Sequence, residues 1–136
     1  MWILTSWIVL ALVHLMPALG LFAPALLTRM YGVQQRDALF LLMHHRAALF
    51  LAIVVICVWS AFDPAPRRLA VVAVGISMLS FLGLYWRAGS PPSLRAIALA
   101  DLIGVPALVY ATCSAYPARF RSRSLTIMVS LNEAHS

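Results

Sequence analysis

Four apolar runs, residues 2–22, 39–62, 69–86 and 94–114, fill most of this 136-residue chain. Each is close to the ~20 residues with which a helix crosses a hydrocarbon layer ~30 Å thick. Hydrophobic residues make up 63% of the sequence and charged residues 10%, too little charge to keep the surface of a water-soluble domain wet. The runs are apolar all round rather than along one stripe, as helices facing lipid and one another are. No alternation of polar and apolar residues marks a β-barrel wall. The expected fold is therefore all-α. Residues 1–116 are read as an up-down bundle of four transmembrane helices, and residues 117–136 as an arginine-rich C-terminal tail.

The breaks between runs carry their own chemistry. In APALLTRMYGVQQRDA, Pro24 suits a helix start and Gly32 a helix end. Leu26, Leu27, Met30 and Tyr31 are expected there to lie flat on the interface as a short amphipathic turn. FDPAPRR is too rich in proline to continue a helix. In RAGSPPS, either Ser90 caps a helix starting at Pro91 or Ser93 caps one starting at Leu94. Trp2, Trp7, Trp59 and Tyr116 fall at one membrane face, and Tyr31, Tyr85 and Trp86 at the other, as an aromatic belt would. The first run has no basic segment before it, so it is read as a retained span rather than a cleaved signal.

All ten basic residues are arginine, which rules out a lysine nucleophile or Schiff base. They flank the apolar runs instead of forming a basic face, so the net charge of +6 points to membrane borders and not to nucleic acid. With four spans, both termini share a side. That side holds Arg67, Arg68, Arg119, Arg121 and Arg123, five against the four of Arg29, Arg36, Arg87 and Arg95. The excess, and the tail segment ARFRSRS beside an anionic leaflet, place both termini in the cytoplasm.

Polar residues inside the runs are the candidates for function. An Asp or Arg at the centre of a span costs about 2.5–3.5 kcal/mol on insertion scales. Arg46 and Asp101 each lie seven residues into parallel spans, about 10 Å below the same face. His14 lies eight residues before the end of the first span, and Ser77 and Ser80 nine and six before the end of the third. The expectation is one polar layer of His14, His45, Arg46, Ser80 and Asp101, with His44 and Ser77 beside it. Consecutive residues turn by about 100°, so His44, His45 and Arg46 cannot all face inward. Ala96, Ala100 and Gly104 repeat every fourth position and permit close helix approach.

Two roles remain open for this layer. An Arg46–Asp101 pair can serve only to set helix register, or the same groups can hold something. His14 and His45, on neighbouring antiparallel spans, are the ligands if a haem or metal is held, and a proton path would pass through Asp101. No cofactor or metal site is read from the sequence beyond that. Catalytic motifs are absent, and with one acidic residue inside a span no carboxylate dyad forms within the chain. Cys57 and Cys113 lie in apolar runs and are read as buried, inert thiols.

The segments MPALGLFAP, LTRMYGV, HHRAALF, SMLSFL and LRAIALAD resemble a family of small, uncharacterised proteobacterial membrane proteins over roughly the first 110 residues. Where members of that family tend to carry a basic residue, this chain has His44. The resemblance implies four spans in a bacterial inner membrane and no established activity. Such proteins often carry the label phosphopantetheine adenylyltransferase. The chain has no Gly-His dipeptide, no lysine and no alternating β/α pattern, so the label does not describe it. The expected protein is a non-catalytic accessory or assembly module in the lipid bilayer, working with a membrane partner or a second copy. A cofactor-binding or proton-linked component is the alternative.

Overall fold

The computed structural model describes residues 1–32 and 34–116, so the expected tail lies outside the described residues. Five α-helices follow one another: α1 Trp2–Leu19, α2 Pro24–Tyr31, α3 Ala38–Phe62, α4 Arg67–Arg87 and α5 Arg95–Ala115, the last entered through a 3-10 turn at Pro92–Leu94. No strand occurs among the described residues. Helices α1, α3, α4 and α5 with its turn are long and apolar enough to cross a membrane. Their outward faces carry Leu12, Met16, Leu49, Val55, Ile76, Leu79, Ile103 and Val109, all exposed. Water would penalise so much exposed apolar surface; hydrocarbon would not.

The helix ends follow from local chemistry. Pro24 opens α2 at a position where its missing N–H is harmless. Gly32 closes it in the left-handed conformation (φ 68°), with its N–H on the Thr28 carbonyl. After α4, the Gly89 N–H bonds the Trp86 carbonyl and the Ser90 N–H reaches the Tyr85 carbonyl, with Gly89 at φ 78°. That is the glycine-closed arrangement by which a helix satisfies its last carbonyls. Ser90 is spent on this turn, at φ 56°, and no side chain caps either the 3-10 turn or α5. The expected serine cap is thus corrected.

At the proline-rich connection, arginines cover the ends of two other helices. Arg67 donates Nε–H to the Ser60 carbonyl (2.9 Å) in the last turn of α3. Arg68 reaches the Ala115 carbonyl of α5 (3.4 Å), and its guanidinium lies 5.6 Å over the Tyr116 ring. A cation at a helix C-terminus meets both the orphaned carbonyls and the negative end of the macrodipole.

Helix α1 packs against α3 and α5, and α4 packs against α5 and α3. The main core joins Trp7, Leu10, Cys57, Val74, Met78 and Leu108. A Cβ on Gly104 would stand 2.7 Å from Met78 Cε and 3.2 Å from Val13 Cγ2, so the glycine lets α5 approach α4 and α1. Of the three small residues at four-residue spacing, Gly104 is buried and Ala96 is exposed. A second, smaller cluster gathers Leu27, Phe40 and Ala47 with Leu21, Tyr31 and Met43. It seats α2 on α3 through Leu27, which is 1% exposed. Two further expectations are corrected. Trp7 belongs to the core and not to an aromatic belt, while Cys57 is buried but Cys113 is exposed.

Candidate functional site

A partly enclosed cavity of about 170 Å³ takes one polar side chain from every helix: His14 from α1, Tyr31 from α2, Arg46 from α3, Ser77 from α4 and Asp101 from α5. The volume has room for roughly five water molecules. Val13 and Pro17, Met43 and Phe50, Phe81, and Leu94 and Ile97 complete an otherwise apolar wall. Tyr31 and Met43 of its wall belong to the smaller hydrophobic cluster.

His14 is 2% exposed and donates its Nδ1–H to the Leu10 carbonyl one turn back (2.9 Å). A carbonyl only accepts, so in the neutral ring this bond sets the tautomer and leaves Nε2 with a lone pair. The ring stands 5.8 Å from that of Phe50. Phe50 also lies beneath Arg46, whose guanidinium carbon is 5.3 Å from the ring centre, within reach of a cation–π contact. Arg46 is the one exposed residue among the twelve that line the cavity, so the cavity reaches the surface beside it.

Asp101 is buried at 8% exposure, and among the described residues its carboxylate makes no hydrogen bond and no ion pair within 4.0 Å. Arg46 and Asp101 therefore share a cavity without closing on each other. Tyr31 lies between the two influences. Burial pushes its phenol above the usual tyrosine range, Arg46 draws it down and Asp101 adds to the rise. At neutral pH the phenol stays protonated, able both to donate and to accept.

The expected layer is corrected at two positions. His45 is exposed and outside the cavity, because one residue of helix turns it about 100° from Arg46. Ser80 is exposed too, its hydroxyl donating to the Ser77 carbonyl at 3.3 Å, and it is Ser77 that lines the cavity. His44 is half-buried and donates Nε2–H to the Leu21 carbonyl at 2.9 Å, just beyond α1, with its ring 5.7 Å from Phe40. That carbonyl has left the helical ladder, and His44 supplies a partner. His45 does not share the cavity that His14 lines. Among the described residues no three His, Cys, Asp or Glu side chains gather as for a metal ion.

Tyr31 was not among the expected site residues. The signal was present: Pro24 and Gly32 bracket a two-turn helix, and Leu27 and Tyr31, four apart, share its face. Comparison with known proteins adds nothing further, since no family model, curated protein or solved structure matches the chain.

Chemically, the cavity offers one fixed cation at its mouth and one carboxylate within. The same cavity is lined by further hydrogen-bonding groups in His14, Tyr31 and Ser77.

Proposed function

We propose that the chain is a small, non-catalytic, multi-pass protein of a bacterial inner membrane. Its helices α1, α3, α4 and α5 span as an up-down bundle with both termini in the cytoplasm, and it acts as an accessory module by holding a small polar ligand in the five-helix cavity. The inner-membrane assignment leans on the resemblance to small proteobacterial membrane proteins, and the orientation on the arginine count.

One observation carries the binding role: Arg46 and Asp101 face the same cavity without pairing. Two charges kept only to set register would gain most by direct contact, because each is expensive to leave unpartnered in a low-dielectric interior. Held apart around a space of about 170 Å³, they are partners for something that enters.

A double-mutant cycle on unfolding in detergent tests this, using Arg46→Gln, Asp101→Asn and the double variant. Separated binding charges couple by less than about 0.5 kcal/mol, whereas a directly bonded pair couples by up to about 3 kcal/mol. Coupling above about 1.5 kcal/mol would return the pair to a purely structural role.

A further inference from the structure

The cavity is neutral as a whole but divided. Arg46 is its only cation and stands at the mouth, where it is exposed; Asp101 is its only carboxylate and is buried. Neither has a charged partner within 4.0 Å among the described residues. A simple anion would satisfy Arg46 and be repelled by Asp101, and a simple cation would meet the reverse. A ligand carrying both charges on a short link satisfies both and brings no net charge into the apolar surroundings.

The order of the charges follows from the walls. Guanidinium is the preferred partner of phosphate, which it meets through paired N–H donors. The two most buried polar groups, His14 and Asp101, offer acceptors. His14 has spent its donor on Leu10 and keeps Nε2 as a lone pair; Asp101 accepts only. A primary ammonium, with three donors and no acceptor, matches that set, and Tyr31 and Phe81 in the wall add aromatic faces. We propose that the cavity binds a phosphate-and-ammonium zwitterion, phosphate on Arg46 at the mouth and primary ammonium on Asp101 and His14 within. Both a phosphatidylethanolamine headgroup and free phosphoethanolamine have this chemistry. The inference rests on the binding role proposed above and names its ligand class.

Native mass spectrometry of the full-length protein, titrated in detergent with defined probes, tests it. Phosphatidylethanolamine is expected to be retained at least tenfold better than phosphatidylglycerol, which lacks the ammonium. Asp101→Asn is expected to remove that preference, lowering the retention of phosphatidylethanolamine and raising that of phosphatidylglycerol as the repulsion of its phosphate is lifted. Phosphatidylcholine, whose quaternary ammonium donates no hydrogen bond, should be retained as poorly as phosphatidylglycerol. Retention of free phosphoethanolamine as strong as that of the lipid would uphold the zwitterion and assign it to a soluble source. Equal retention of phosphatidylethanolamine and phosphatidylglycerol, insensitive to Asp101→Asn but lost in Arg46→Gln, would overturn the zwitterion and leave an anion-binding cavity. No retention of any probe by protein that unfolds cooperatively would overturn the zwitterion. The double-mutant cycle then decides separately whether the charges are a structural pair.

Discussion

His44 and His45 are neighbours in sequence with different surroundings. The first donates to the Leu21 carbonyl, and the second is exposed on the outer face of α3. Replacing His44 by alanine strands a carbonyl in an apolar setting and is expected to cost about 1–3 kcal/mol. His45→Ala should stay within about 0.5 kcal/mol of the parent. Unfolding of the two variants in detergent reads this contrast, and equal losses would mean that the Leu21 contact contributes little. At this scale the sequence was partly legible. Depth along a span follows from counting at ~1.5 Å per residue, and this was enough to bring His14, Arg46 and Asp101 to one level. Rotation about the helix axis was not legible, because helices apolar all round give no stripe against which to judge which face is inward. His45 and Ser80 were misjudged for that reason.

Among the elements, α2 is where local signals and packing part company. Proline and glycine mark its two ends in the sequence, yet its destination depends on Leu27. This side chain fills the space above Gly20, where an added Cβ would collide with the leucine branch (2.8 Å to Cγ) and crowd the Pro17 carbonyl at 3.1 Å. Gly20→Ala is expected to destabilise by about 1–3 kcal/mol through this overpacking. Leu27→Ala should cost about 2–5 kcal/mol, or as much of that as the docking of α2 supplies. Hydrogen exchange over residues 24–31 is the measurement: both variants should raise it there while the middle of α3 stays protected. Unchanged exchange would mean that α2 holds its place without Leu27. Because Tyr31 closes the cavity from α2, the same variants should also weaken any ligand retained there.

For the whole molecule, the proposed orientation makes a test of sidedness. In a chain whose two cysteines are replaced (Cys57→Ala, Cys113→Ala), Ser90→Cys should react with an impermeant maleimide in spheroplasts. Ala65→Cys should react only once the cytoplasmic face is opened. The reverse pattern would invert the bundle and place both termini outside. What the sequence by itself determined is the set of helices long and apolar enough to span, their breaks at proline and glycine, and the depth of each polar residue. These are properties of one helix at a time, set by hydrophobic length and by the backbone preferences of single residues. Only the tertiary structure decided that α2 folds back over α3, that Trp7 turns into the core, and that five helices each give one polar side chain to a shared cavity. Those outcomes depend on how side-chain volumes fit between helices. Leu27 over Gly20 and Met78 against Gly104 set which faces meet, and hydropathy cannot tell two apolar faces of one helix apart.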